Sequence, residues 1–362
     1  MPLRSSRTSL DQISEFGLIR SLRRRFGQTG RSVLRGIGDD AAIIRLPTNH
    51  LLLVSTDLLA EDVHFDLSTA TFENIGYKAA AANLSDIAAM GGVPQHMLVA
   101  VAIPGSCKSS EIERLYRGLM HACRRYGVEL VGGDTSASRQ GLFISVTVTG
   151  VTEPGQALRR DGATAGDLLY VTGTLGDSLA GSNILRTRIR TKGKAGKGQH
   201  KRHLRDLIER HLRPTPRIEE GQLLATHHLA TAAIDLSDGL SGDLAHVCEE
   251  SGVGAEIEIA ALPLSPACRS YAAAYRLDPS NLALTGGEDY ELLFTVSPGN
   301  RAKLDRLARR ARYRFSCIGT IRPKGFGLRV KHRNGSSRRL PLTSYQHFQS
   351  HRATLGEAEW FR

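Results

Sequence analysis

Six short acidic clusters, each set among glycine and small residues, recur along the chain and constrain its fold more than any other feature. They are Gly38-Asp39-Asp40-Ala41-Ala42, Ser55-Thr56-Asp57, Asn83-Leu84-Ser85-Asp86, Gly132-Gly133-Asp134-Thr135, Asp235-Leu236-Ser237-Asp238-Gly239 and Gly286-Gly287-Glu288-Asp289-Tyr290. Carboxylates and hydroxyls, with no His or Cys in ligand spacing, suit a hard cation such as Mg²⁺. Glycine beside an acid lets a phosphate or a metal come close to the backbone. Aspartates scattered in this way and holding several Mg²⁺ ions point first to polyphosphate chemistry.

Each cluster also has an ordinary structural explanation. Asp40 is either a metal ligand at the mouth of a sheet or part of a turn that caps its own backbone. Ser55, Thr56 and Asp57 end a predicted strand, as ligand residues often do and as strand-end caps also do. Asp86 falls in the last turns of an Ala-rich helix, where the dipole disfavours an acid. A cation partner would explain it, and so would plain solvation. Asp235 and Asp238, with Ser237 between them, suggest a metal and phosphate clamp at a strand–helix junction, or helix capping. His64 could meet an anionic group or be a satisfied structural residue. Arg160 could clamp a phosphate or form a surface salt bridge. The Walker pattern G-x-x-x-x-G-K-[ST] is absent, and Gly193 to Gln199, which comes nearest, lacks the Ser/Thr and the strand–helix setting. Metals and glycine backbones would have to do the work of a phosphate loop.

A chain of 362 residues is long enough for two domains, and 41% hydrophobic with 23% charged residues excludes wholesale disorder. No apolar run is long enough to span a bilayer, and the basic start has no apolar segment after it, so neither a membrane partner nor a secretory signal is expected. Five cysteines, an odd number without a C-x-x-C pair, fit reduced thiols in a cytoplasm. The net charge of +12 invites a nucleic-acid reading. The charge is concentrated, however, in Arg20 to Arg25 and in Arg186 to Arg205. The second block carries a Gly/Lys stretch that reads as a solvated loop, with no aromatic residues to stack on bases. A nucleic-acid partner is therefore not expected.

Periodicity predicts an amphipathic helix over Ile13 to Phe26 and helices over Glu73 to Met90 and Ser109 to Tyr126, the latter two followed by glycine. Strands are predicted over Asp40 to Leu46, Leu51 to Ser55, Met97 to Ile103 and Phe143 to Val151. The turn cluster Thr152-Glu153-Pro154-Gly155 suggests a boundary, giving domains 1–151 and 152–362. The second part mixes strands (Asp167 to Gly173, Ala232 to Ile234, Ala255 to Ile259, Glu291 to Val296) with helices around 175–186, 203–211, 217–230, 241–251 and 304–312. Mixed order and alternating strands argue for an α+β fold, each domain a mixed sheet covered by helices on one face.

In this order the clusters resemble the thiamine-monophosphate kinase family. The likeness extends to Val63-His64-Phe65, Tyr170-Val171-Thr172-Gly173-Thr174-Leu175-Gly176-Asp177-Ser178, Arg213-Pro214-Thr215-Pro216-Arg217 and Asp289-Tyr290-Glu291-Leu292, and so covers nearly the whole chain. That family shares a two-domain aminoimidazole ribonucleotide synthetase-like fold with selenophosphate synthetase, and commonly dimerises through its N-terminal domains. The resemblance implies an N-terminal domain that binds ATP and Mg²⁺ and dimerises, and a C-terminal domain that completes the active site. It implies ATP-dependent, Mg²⁺-assisted phosphorylation of thiamine monophosphate to thiamine diphosphate in the cytoplasm by a homodimer. By position it implies Asp40, Ser55, Thr56, Asp57, Asp86, Asp134, Asp235 and Asp238 as metal ligands. Tyr116, Gly133, Asp134, Arg160 and Ser237 are implied as ATP contacts, and His64, Glu288 and Tyr345 as contacts to the thiamine phosphate. Glu288 would complement the thiazolium cation and Tyr345 would stack on a ring.

The acceptor is itself a phosphate, already anionic, so no general base is expected and transfer should be direct, without a phosphoenzyme. The chain departs from the family in Ala60-Glu61-Asp62, where a Glu-Gly pair is common, and in the Lys/Gly stretch at 192–198. Selenophosphate synthetase fits poorly because no cysteine precedes Cys107, and a hydrogenase-maturation type would be expected to end in cysteine. An RNA-binding protein on a degenerate enzyme fold is disfavoured because every cluster keeps its acids.

Overall fold

In a computed structural model the described residues are 33–35, 39–46, 49–187 and 198–342. The predicted helix over Ile13 to Phe26, the first basic block and Tyr345 lie outside them. The first half forms a six-stranded sheet in the order β1-β2-β3-β6-β4-β5, in which only β4 and β5 pair in parallel. Its strands are β1 (Val33–Arg35), β2 (Ala42–Arg45), β3 (Leu51–Ala60), β4 (Val93–Pro104), β5 (Glu129–Ser138) and β6 (Phe143–Thr152). Alternation along β3 and β6 gives each strand one buried and one wetter face, as expected when helices cover a single side.

Two helices cover that side, α1 (Phe72–Ala89) and α2 (Ser109–Tyr126). Thr71 caps α1, its hydroxyl accepting from the Asn74 amide at 3.2 Å. Gly127, in the left-handed region at φ 69°, ends α2. A Cβ at Gly118 would lie 1.9 Å from the Glu73 carbonyl oxygen, and one at Gly76 would lie 2.0 Å from that of Leu115. The two helices therefore cross at backbone contact, which only glycine permits. α1 is buried nearly all round, because the second half of the chain packs on its other side.

The second half forms a seven-stranded sheet, β13-β12-β9-β11-β7-β10-β8, in which only β9 and β12 run parallel. The strands are β7 (Leu168–Thr172), β8 (Ala230–Asp235), β9 (Val253–Glu258), β10 (Leu292–Val296), β11 (Phe315–Pro323), β12 (Leu328–Lys331) and β13 (Ser337–Arg339). Its helices are α3 (Asp177–Arg186), α4 (Gln199–Leu212), α5 (Ile218–Thr226), α6 (Leu240–Ser251), α7 (Pro266–Tyr275), α8 (Pro279–Thr285) and α9 (Arg301–Ala311). The α+β reading holds, with two mixed sheets.

One hydrophobic core runs across both halves, joining Ile87, Leu119 and Val146 to Leu158, Leu224, Phe294 and Leu304. A second core lies under α6, and a third joins α3, α4 and α7. The shared core fixes the two sheets relative to each other, and Asp40, Asp86 and Asp235 meet at this seam.

Candidate active site

β3 runs on through Ser55 and Asp57 to Ala60, so these residues sit within a strand and not after one. Period-two alternation turns Ser55 and Asp57 toward α1 and turns Thr56 to the other face. The Ser55 hydroxyl donates to the Asp86 carboxylate, and the Asp57 amide donates to the Asn83 side chain at 3.2 Å. Asp40, at the entry to β2, and Asp235, the last residue of β8, approach from either side. Asp40, Asp86 and Asp235 each place a carboxylate oxygen within 4.8 Å of the others. Three elements far apart in sequence thus converge on one point.

Such a cluster is electrostatically expensive. Burial, followed by the charge of Asp40, pushes Asp57 up to about 6. The same causes push Asp235 up to about 8. Burial and the neighbouring Asp57, Asp235 and Asp40 push Asp86 well above the ordinary carboxylate range. Arg160 offsets part of this repulsion with a forked pair to Asp40, Nε lying 3.0 Å from Oδ2. Burial opposes the guanidinium charge, but Asp40 and Asp39 raise its pKa overall. Arg160 is therefore an ion-pair partner of the cluster and not a surface residue. The donors are all hard oxygens on buried or half-buried carboxylates, which fits Mg²⁺ better than a soft metal.

The β8–α6 loop is clasped by the sixth cluster. The Glu288 amide donates to the Ser237 carbonyl at 2.8 Å, and the Tyr290 amide to that of Leu236 at 2.9 Å. Glu288 and Tyr290 both take positive φ, 63° and 50°, which costs energy for residues with a Cβ. Asp243 on α6 accepts the Gly239 amide at 3.0 Å and the Asp238 amide at 3.3 Å, so the loop carrying Asp238 is pinned from below.

Glu288 anchors the second part of the site. Its Oε1 lies 2.6 Å from the Lys78 ammonium. Its Oε2 lies 3.5 Å from His211 Nδ1, which is also 3.0 Å from the Ser178 hydroxyl. Burial, then Lys78, pushes His211 down to about 4, so the imidazole is neutral near pH 7 and its contact with Glu288 is not an ion pair. Burial opposes the Glu288 charge, but Lys78, His211 and His64 hold its pKa below the usual range. His64 belongs to this group, and its Nδ1 accepts the Ala60 amide at 3.0 Å. Tyr290 is held as a neutral phenol by burial and by Glu288, Asp57, Asp235 and Asp86, so it lies near both Glu288 and the acid cluster.

Other expected residues lie elsewhere. Asp134 is on the exposed edge strand β5, in register with Ala100, which pairs with Ser145, which pairs with Leu58. It therefore shares the outer face with Thr56, whose hydroxyl donates to the Val146 carbonyl at 3.1 Å. Three strand steps separate β3 from β5, roughly 14 Å. Within one chain Asp134 and Thr56 are brought neither together nor to the cluster. Gly133 has a packing reason of its own, since a Cβ there would lie 1.9 Å from the Val99 carbonyl oxygen. Tyr116, half-buried on α2, lines a groove of about 790 Å³ with Glu73, Met120, His121, Arg124 and Arg125. No residue of the acid cluster lines it.

Sequence reasoning missed Lys78, His211, Asp243 and Tyr290. A signal existed for Lys78. Positions 78, 82 and 86 form one stripe of a helix, so the single cation of an Ala-rich segment shares a face with Asp86.

The sequence matches the family described as AIR synthase related protein, its N-terminal domain over residues 38–152 and its C-terminal domain over 164–331. It is 40% identical over 314 residues to the thiamine-monophosphate kinase of Haemophilus influenzae, spanning 86% of this chain and 90% of that one. To the thiamine-monophosphate kinase of Escherichia coli K12 it is 39% identical over 339 residues, 92% of this chain and 98% of that one. Among solved structures, one described as AaThiL complexed with AMPPCP and TMP superimposes with a TM-score of 0.80 at 35% identity, covering 95% of this chain and all of the other. The chain thus belongs to the thiamine-monophosphate kinase family of AIR synthase-related proteins.

Proposed function

We propose that this protein transfers the terminal phosphoryl group of ATP to thiamine monophosphate, giving thiamine diphosphate and ADP, in a direct in-line step that uses Mg²⁺. The observation that carries this reading is the convergence of Asp40, Asp86 and Asp235 beside the Glu288 group. A neighbouring structure of the same family is complexed with AMPPCP and TMP, an ATP analogue and the acceptor. Repulsion between the acceptor phosphate and the ATP phosphates is the main obstacle to such a reaction. Mg²⁺ at the cluster supplies the positive charge that lets the two anions approach.

The chain's own residues provide the frame. Asp40, Ser55, Asp57, Asp86, Asp235 and Asp238 would hold the metal, Ser55 also donating to Asp86, and Ser237 on the clasped loop would meet ATP. Arg160 sits at the rim of the cluster, where it can turn from Asp40 to an ATP phosphate. Glu288 and His64 receive the thiamine end. The acceptor is a phosphate oxygen, already anionic, so direct transfer needs no protein nucleophile.

Asp134, Gly133, Thr56 and Tyr116 remain part of this reading as metal and ATP contacts, and so do Tyr345 as a substrate contact and the division into residues 1–151 and 152–362. A homodimer in the cytoplasm is proposed with it. Leu58, Val93, Leu98 and Phe143 are exposed on the outer face of the first sheet, while α1 and α2 cover its other face, and all five cysteines are free thiols.

ADP release with ATP and Mg²⁺ tests the reading, comparing thiamine monophosphate with free thiamine as acceptor. Turnover is expected with the monophosphate alone. Absence of turnover with either acceptor, or trapping of a phosphorylated residue, would sink it.

A further inference from the structure

Lys78 is a lysine with 3% of its surface exposed, two turns before Asp86 on the same face of α1. An ammonium this deep is costly, and a buried ion pair adds little net stability over apolar residues of the same shape. Its partner is not buried in the same way. The Glu288 side chain keeps 30% of its surface exposed, against 4% for that of Lys78. Glu288 is thus the solvent-facing member of the pair, with the ammonium enclosed behind it. His211 and His64 also lie near Glu288; His211 is neutral near pH 7, so Lys78 is the cation in direct contact with the carboxylate. Lys78 and Glu288 together therefore make a buried zwitterion with its negative end outermost.

On the reading of Glu288 as the thiazolium contact, the entering acceptor is a zwitterion too, with a thiazolium cation at one end and a phosphate at the other. When the thiazolium meets Glu288, the Lys78 charge loses its partner. A lysine stem is flexible, and its three donors rotate freely, so the ammonium can turn to a new anion. The anion arriving with the thiazolium is the acceptor phosphate, and α1 leads from Lys78 toward Asp86 and the cluster. We propose that Lys78 binds the acceptor phosphate, its ammonium leaving Glu288 as the substrate cation replaces it. This exchange of partners gives the site a preference for a phosphorylated cation over either charge alone, and it rests on the reading of Glu288 above.

Lys78→Met and Lys78→Arg, measured by calorimetry with thiamine monophosphate and with free thiamine, test this. Loss of a charge-assisted contact should weaken monophosphate binding about tenfold or more in Lys78→Met. Free thiamine, which has no phosphate, should bind as before or more tightly, because Glu288 has lost a competing cation. Lys78→Arg should keep most of the monophosphate affinity. Equal weakening of both ligands, or unchanged monophosphate binding, would overturn the proposal. If Lys78→Met fails to fold, the comparison becomes Glu288→Gln against Glu288→Gln/Lys78→Met, in which no charge is left unpaired. The added lysine change should then weaken only the monophosphate, and no further loss would overturn the role. Wild-type turnover runs alongside. Its absence sinks the kinase reading itself, whereas normal turnover with an indifferent Lys78→Met sinks only the lysine.

Discussion

At the scale of single residues, the site concentrates negative charge and leaves it poorly compensated. The folded chain raises Asp57 to about 6 and Asp235 to about 8, burial being the largest cause in each. Their unfolded value is near 3.9. The folded state therefore holds protons that the unfolded state releases, and the stability these groups contribute is full below about pH 4 and lost as pH rises through about 6 and then about 8. Metal-free protein should melt at falling temperature from pH 5 to 8.5, and Asp235→Asn should flatten that fall because its amide does not titrate. Mg²⁺ should raise the melting temperature more at pH 8 than at pH 5.5, since cation and proton compete for the same oxygens. Scanning calorimetry reads all three, and a wild-type-minus-variant difference constant across pH would contradict the assignment. Glu291 shows the opposite solution to burial. It receives Arg217 and Arg210 at 2.6 Å each and the Thr172 hydroxyl, and its pKa falls despite full enclosure.

At the scale of elements, α1 does the most. It carries Lys78, Asn83 and Asp86, covers the first sheet, and packs α5 of the second half on its far side. Its placement depends on the glycine crossing with α2. Gly118→Val drives a side chain into the Glu73 backbone and should destabilise the fold by about 2–4 kcal/mol. Because α1 would shift with it, activity should fall before the protein unfolds. Denaturant melts with parallel ADP assays check this, and a neutral variant would mean that the helices can separate at no cost. α1 and α2 were legible from helical spacing and glycine stops, because both signals are local. β11, α7 and α8 were not foreseen. β11 lies in the middle of a sheet, between β7 and β9, with a Gly and a register shift that blur its alternation. α7 and α8 are short, 10 and 7 residues, and begin with Pro after a Ser or Asp cap, a signal easily read as a turn.

At the scale of the whole molecule, the shared core sets the two sheets so that β3 and α1 of the first half face β8 and the Glu288 clasp of the second. The first sheet's outer face is left with exposed apolar side chains, and with Thr56 and Asp134 on it. Leu98→Glu, at the centre of that face, should convert a dimer to a monomer in sedimentation or light scattering while the fold is kept, because a charge cannot be buried unpaired at such an interface. A wild-type monomer, or a dimer indifferent to this change, would remove the proposed assembly.

The chain alone determined the acids, the glycines beside them and the order of the clusters, and with these the family and the hard-cation chemistry, because residue type and spacing are written in the sequence. It also determined the main strands and long helices, since periodicity is local. Only the tertiary structure decided which clusters meet. Asp40, Asp86 and Asp235 converge because a sheet turn, a helix and a strand end are packed on one core. Strand alternation sends Thr56 and Asp134 to the opposite face. Lys78 and Glu288, 210 positions apart by their numbers, become partners for the same reason: pairing across a packed seam depends on three-dimensional placement, which no local pattern encodes.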